Sequence, residues 1–211
     1  MEKVNTKKFI DNIKTTIESN EFIERLKINL SNFPNQKHES HIRNSLVEFY
    51  NKQENTDQRA FAEHPRYKNK ETRKRVTIDF SICTNEIIDF SMELKYNFPK
   101  DILKSCAKSN LNKDFINRFY NENGQKVDAF LQIVCETNKS YFSSLEKKWN
   151  LNSLSQFQLK DDKLNWEDTL INELKNTEKT VENSKYELLG KQIVKTNALT
   201  AQYYFYIIYR K

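Results

Sequence analysis

Two short segments hold residues whose types and spacing could do chemistry. The first, V-T-I-D-F-S-I-C over 76–83, alternates strictly. Val76, Ile78, Phe80 and Ile82 share one face, and Thr77, Asp79, Ser81 and Cys83 share the other. The second, I-I-D-F-S-M-E-L-K-Y over 87–96, sets Ile88, Phe90, Met92, Leu94 and Tyr96 against Asp89, Ser91, Glu93 and Lys95. Thr84-Asn85 between them signals a turn, so the pair reads as an antiparallel hairpin. Its polar faces carry Asp79, Glu93 and Lys95, the last two side by side. Carboxylates that converge across strands can hold a hard cation such as Mg²⁺ through oxygen ligands. A neighbouring lysine can orient or deprotonate a metal-activated water, or stabilise phosphate charge. Together these are the requirements of phosphodiester hydrolysis. The competing account is an ordinary hairpin with a charged wet face. Against it, Asp is disfavoured in strands, and bulky apolar residues on the opposite faces anchor both strands in a core.

Register sharpens the expectation. A two-residue loop would pair Asp79 with Phe90 and turn Asp79 away from Glu93. A three-residue loop, 84–86, pairs Asp79 with Ser91 and makes Asp79 and Glu93 diagonal neighbours on one face, about 7–8 Å apart. The hairpin is therefore expected to contain an odd-length connection or a bulge.

Other residues could serve this site. A helix over about 37–52 carries the apolar stripe Ile42, Leu46, Phe49, Tyr50, and Glu39 begins it on that same inward face. An acid there favours the helix dipole, or it joins the site. Glu48 falls on the outer face with His41, Ser45 and Lys52. The segment R-Y-K-N-K-E-T-R-K-R over 66–75 holds six basic residues and one acid and leads straight into the Asp79 strand. Lys68, Lys70, Arg73, Lys74 and Arg75 are thus candidates for phosphate contact. Glu63, at the end of a short strand over 59–63, could be a further acid. His38 and His41 form an HxxH pair, too little for a zinc site. Cys83, Cys106 and Cys135 sit in apolar patterns as small buried hydrophobes. The aromatic run Tyr203–Tyr209 reads as a core or edge strand before it reads as a base-stacking platform, and Trp149 and Trp166 as helical packing residues.

Composition bounds the chemistry. The 211 residues include only two glycines, Gly124 and Gly190, so no Gly-rich phosphate loop or dinucleotide fingerprint exists. Thirty-five basic against 29 acidic residues give a formal charge of +6, which permits polyanion contact without requiring it. No apolar stretch is long enough for a bilayer, and MEKVNTKKF lacks the apolar core of a signal peptide. Three cysteines without a CxxC pair argue against a disulfide framework. The expectation is a soluble cytoplasmic protein with no membrane contact. Helices are predicted over 5–30 with a break at Ser19-Asn20, then over 100–108, 112–121, 140–150 and 163–178. V-D-A-F-L-Q-I-V-C over 127–135 reads as a central strand buried on both faces, reached from the hairpin by a right-handed crossover. The last predicted strand covers 203–209.

In this order, the segments resemble the PD-(D/E)XK nuclease superfamily. Asp79 matches the first half of the motif and Glu93-Leu94-Lys95 the E-x-K half. The Glu39 helix, the 59–63 strand and the crossover into 127–135 extend the resemblance over about residues 36–136. Ile78 stands where the motif often has proline. The resemblance implies an α/β, restriction-endonuclease-like fold: a mixed central sheet flanked by helices. Residues 1–35 would be an added helical segment and 36–211 the nuclease-like part of one compact domain. It implies Mg²⁺, with Mn²⁺ as a substitute, held by Asp79, Glu93 and the Leu94 carbonyl. Lys95 would serve the nucleophilic water, and Glu39 would be an auxiliary group. The expected substrate is double-stranded DNA, cut by a homodimer in a restriction or defence role, with the N-terminal helices as candidates for the dimer contact or a DNA clamp. The alternative is a non-catalytic nucleic-acid- or protein-binding module on the same fold.

Overall fold

The structure is a computed structural model. It describes residues 6–53, 57–67, 75–85, 87–107, 111–119, 127–150 and 165–211, with the backbone alone at 65–67, 75, 76, 107, 111, 112, 114, 118 and 139. The helices are α1 (Thr6–Glu18), α2 (Asn20–Asn32), α3 (Glu39–Asn51), α4 (Pro99–Ala107), α5 (Leu111–Phe119), α6 (Lys139–Trp149) and α7 (Trp166–Thr180). The strands are β1 (Gln58–Tyr67), β2 (Arg75–Thr84), β3 (Ile87–Asn97), β4 (Ala129–Thr137), β5 (Ser184–Lys195) and β6 (Thr200–Arg210). They form one mixed sheet in the order β1-β2-β3-β4-β6-β5. β3 and β4 are parallel, joined through α4 and α5, and the other neighbours are antiparallel.

Helices cover both faces of the sheet. On one face, Phe9, Ile13 and Ile17 of α1, Phe22, Leu26 and Leu30 of α2, and Ile42, Leu46 and Tyr50 of α3 pack with Phe90, Met92, Leu94, Ile133 and Phe205. On the other, Ile102, Phe115, Phe119, Trp166, Leu170 and Leu174 pack with Phe130, Val134, Tyr204, Tyr206 and Ile208. Each fully buried Leu or Phe contributes about 1.5–3 kcal/mol. β4 and β6, apolar on both sides, form the centre of this sandwich. That is why 127–135 reads as a continuous apolar run, and it assigns the Tyr203–Tyr209 aromatics to the core. The break between α1 and α2 lies at Ser19, whose hydroxyl accepts from the Phe22 N–H at 3.2 Å as an N-cap. The apolar stripes of α1 and α2 are spent inside the fold, so any partner of these helices would meet their charged outer faces.

Several expectations are corrected. β1 does not stop at Glu63 but continues through His64-Pro65 to Tyr67. It is an edge strand, the position in a sheet where proline is tolerated. β5 lacks a regular alternation because Leu189 is an extra residue in a bulge between Leu188 and Gly190. Its exposed edge also leaves it largely polar, and periodicity alone passes over it. Trp149 is not a packing residue: it is 63% exposed at the end of α6, whereas Trp166 is buried. Ser45, expected on the outer face of α3, is buried. His41 is partly buried, with its ring stacked on Phe33.

His38 shows why the HxxH pair is not a metal site. It is buried, with Nε2 at 2.8 Å from the Phe33 carbonyl and Nδ1 at 3.0 Å from the Tyr203 hydroxyl. A carbonyl only accepts, so Nε2 carries the proton and Nδ1 accepts from Tyr203. Burial holds the His38 pKa below its ordinary 6.5; the Phe33 carbonyl opposes this and His41 reinforces it. The unfolded chain therefore takes up a proton at His38 before the folded one does. This contribution to stability is complete above about pH 6.5 and is lost as pH falls toward the lowered folded value. In urea melts, His38→Gln should show a smaller fall in midpoint than the parent chain between about pH 7.5 and about pH 5.5.

Candidate active site at the fork between β2 and β3

The hairpin is not paired along its whole length. β2 and β3 pair from Thr84/Ile87 to Phe80/Met92, and there the ladder ends. Beyond it β2 stays paired with β1 as far as Arg75/Tyr67, while β3 runs on beside β4 from Met92 to Asn97. The two strands thus part into a fork at Asp79 and Glu93.

A bulge sets which residues face the fork. The register shifts between Ile82 and Cys83, leaving Asp89 as the extra residue on β3. The expected bulge is present, but the pairing differs in detail. Thr84 pairs with Ile87 at the end of the hairpin, Ser81 rather than Asp79 stands opposite Ser91, and the register carried forward from Phe80/Met92 sets Asp79 directly opposite Glu93. The bulge also reverses Ile88, which packs on the opposite core from Phe90, Met92 and Leu94. Asp89 is held in place by bonds from the Thr84 hydroxyl and from Gln58 Nε2 at 2.9 Å.

Where the strands part, β3 has lost its partner on one edge. Carboxylates replace it. Asp79 Oδ2 accepts from the Leu94 N–H at 2.8 Å, and Glu39 Oε2 accepts from the Tyr96 N–H at 2.6 Å. Leu94 and Tyr96 are both buried. Their N–H groups would otherwise lack partners, at about 1–3 kcal/mol each. Within a strand, the N–H and C=O of one residue point to the same edge, so the Leu94 carbonyl faces the fork as well. Glu39 is on the inward side of α3 as expected, and it reaches the site through the backbone of β3.

Two residues join this site that the motif alone does not single out. Arg43 stands one helical turn after Glu39, with Nη2 at 3.0 Å from Glu63 Oε1 and Nη1 at 3.9 Å from Asp79 Oδ1. Its spacing of four from Glu39 was the available signal. Gln132, a polar residue inside an apolar strand, pairs in register with Lys95 and is fully buried. Its Nε2 donates to the Lys95 carbonyl at 3.2 Å, Asn97 Oδ1 at 3.1 Å and the Ile133 carbonyl at 2.9 Å. It thereby fixes the backbone beneath Lys95.

The remaining candidates fall outside the fork or outside the described residues. Lys68, Lys70, Arg73 and Lys74 lie outside the described residues, and Arg75 is described only as the first residue of β2, opposite Tyr67. Burial pushes the Cys135 thiol up to about 12 and the Cys106 thiol up to about 11, so neither is an activated nucleophile. Buried Ser81 bonds His64 Nδ1 at 2.8 Å, and Asp128 is engaged by the Ser91 N–H at 2.7 Å and the Ser91 hydroxyl at 2.8 Å.

Among the described residues, no group of three or more His, Cys, Asp or Glu side chains is arranged to hold a metal ion. A cation at the fork would rest on Asp79, Glu93, the Leu94 carbonyl and water. This all-oxygen donor set suits Mg²⁺ or Mn²⁺, which keep several waters when bound. No family model, curated protein or solved structure matches the chain.

The capping carboxylates carry a direct prediction. Asp79→Ala and Glu39→Ala should each lower unfolding free energy by about 1–3 kcal/mol, because each strands a buried N–H. Asp79→Asn and Glu39→Gln, which keep an acceptor oxygen, should lose less than half as much. Denaturant melts of the four variants measure this.

Proposed function

We propose that this chain is a restriction-endonuclease-like, Mg²⁺-dependent nuclease that hydrolyses DNA phosphodiester bonds. The observation that carries the reading is the fork: β2 and β3 part at Asp79 and Glu93, with Lys95 two residues further on and the Leu94 carbonyl on the same edge. The parallel β3–β4 pair and the Glu39 helix beside it support the resemblance to the PD-(D/E)XK superfamily. Asp79, Glu93 and the Leu94 carbonyl would hold the ion. The chemistry such an ion supplies is Lewis-acid activation of a water and of a phosphoryl oxygen. Lys95, with its carbonyl tied to Gln132, orients that water or receives its proton and offsets phosphate charge. Glu39 acts through Tyr96 by holding the free edge of β3 in place, so it is a positioning residue. One site per chain cuts one strand, so a double-strand break requires two copies, which is the basis for proposing a homodimer.

The basic segment joins β1 to β2 at the fork end of their ladder. Lys68, Lys70, Arg73, Lys74 and Arg75 are therefore proposed as phosphate contacts for double-stranded DNA. Replacing them with glutamine should weaken binding and flatten its dependence on salt by about one log unit per contact removed. Fluorescence anisotropy with duplex DNA across a salt series reads this.

Supercoiled plasmid incubated with Mg²⁺ or Mn²⁺ tests the activity. Cleavage should require the metal, stop with EDTA, and fall about 10²–10⁴-fold in Lys95→Ala and Glu93→Gln. DNA binding that survives these changes with no cutting in any metal would leave the non-catalytic binding module on the same fold.

A further inference from the structure

Arg43 is a largely buried cation shared unequally between two carboxylates. Its side chain is 12% exposed, that of Asp79 22% and that of Glu63 61%. The guanidinium lies at 3.0 Å from the exposed Glu63 and at 3.9 Å from the less exposed Asp79. The first is a charge-assisted hydrogen bond and the second is beyond hydrogen-bonding range. Asp79 Oδ2 thus accepts from the Leu94 N–H, while Oδ1 faces a cation that does not close on it.

Glu63 holds the cation off from an unusual backbone. It is a non-glycine residue with φ of +50° in the middle of β1. The pairs on either side, Ala62/Phe80 and His64/Ile78, set it opposite Asp79. A glutamate gains nothing intrinsic from the left-handed region, and such outliers gather where the surrounding structure imposes them. Here the outlier stands across from the proposed ion-binding carboxylate and engages an arginine that lies within reach of it.

We propose that Glu63 and Arg43 form a gate that sets the affinity of Asp79 for a divalent cation. Glu63 tethers Arg43 and keeps Asp79 Oδ1 available. With the tether cut, Arg43 closes on Asp79 and competes with the ion. Both are positioning residues, and the proposal rests on the reading of Asp79 as an ion ligand.

Mn²⁺ titration of the full chain, followed by calorimetry and by the electron paramagnetic resonance of free Mn²⁺, tests this without reference to cleavage. Glu63→Gln should weaken Mn²⁺ binding about tenfold, since a guanidinium that closes on Asp79 takes up its free oxygen in a charge-assisted hydrogen bond and repels the incoming cation. Arg43→Gln should bind as tightly as the parent chain or more tightly, and the double variant should match Arg43→Gln. Parent-like binding by Glu63→Gln overturns the gate. So does an equal loss from Glu63→Gln in the parent and in the Arg43→Gln background, which would make Glu63 itself a ligand. Should Arg43→Gln fail to give a cooperative melt, Arg43→Met takes its place in the cycle. Asp79→Asn separates the two levels: if it binds Mn²⁺ like the parent, the ion reading fails and the gate with it. If it loses binding while Glu63→Gln does not, only the gate fails.

Discussion

Beyond Phe80 and Met92, β3 has a partner on one side only, and the buried N–H groups of Leu94 and Tyr96 must be satisfied by something other than a strand. Asp79 and Glu39 do this. Much of the local architecture follows from that substitution. A strand that continued its ladder with β2 would bring its backbone together with Asp79 and Glu93 and close the fork. A strand that parted without carboxylate caps would leave two orphan donors in a protein that is only marginally stable. The caps let the fork stay open and place two acids on its inner side, with the fixed backbone of β3 setting where Glu93 and Lys95 stand. The residues that make the fold possible here are those whose chemistry is of interest, so stability and function at Asp79 are not separable by simple truncation.

The rest of the sheet holds this fork rigid. β3 is clamped on its far edge by β4, and β4 by β6, both buried on their two faces by apolar and aromatic side chains. Gln132 is the exception in that core, and it spends its amide protons on the backbone and side chains next to Lys95. At the other end of the hairpin, the Asp89 bulge sets the facing of every later β3 residue. Without the extra residue the parity of the pairing would invert, and Glu93 and Lys95 would turn to the opposite side from Asp79. Thr84 and Gln58 hold Asp89 there, so the geometry of the fork depends on a bulge set nearer the closed end of the hairpin.

What was legible in the sequence follows the strength of local periodicity. The α1 and α2 stripes, the break at Ser19 and the double-sided burial of β4 are all written in spacing, whereas the alternation of β2 groups Ile78 with Phe80 and Ile82, and the structure packs Ile78 in the opposite core. The need for a bulge was also legible, because only an even register brings Asp79 and Glu93 to one face. Its position and exact pairing were not, since a bulge is defined by tertiary hydrogen bonds from Thr84 and Gln58. β5 was hidden because its own bulge at Leu189 interrupts the alternation on an exposed edge. Arg43 and Gln132 were visible as anomalies, one an arginine a turn from an inward glutamate, the other an amide in an apolar run. Their roles depend on which strand each meets, and no local pattern carries that.

Charge at the fork ties the site to the sequence around it. Among the described residues, Glu39, Asp79, Glu63 and Glu93 bring four carboxylates to the elements of the fork, and Arg43 and Lys95 are cations on the same elements. Arg43 is already engaged by Glu63. A polyanion approaching such a site meets net negative potential unless further positive charge is supplied. On the nuclease reading there are two sources. A divalent ion held by Asp79 and Glu93 would supply positive charge at the fork itself. The basic run 66–75, whose ends Tyr67 and Arg75 pair at the last step of the β1–β2 ladder, would supply the rest. On that same reading the order of the sequence is electrostatically consistent: carboxylates that hold an ion repel phosphate, and a run rich in lysine and arginine that leads into the Asp79 strand would offset that repulsion.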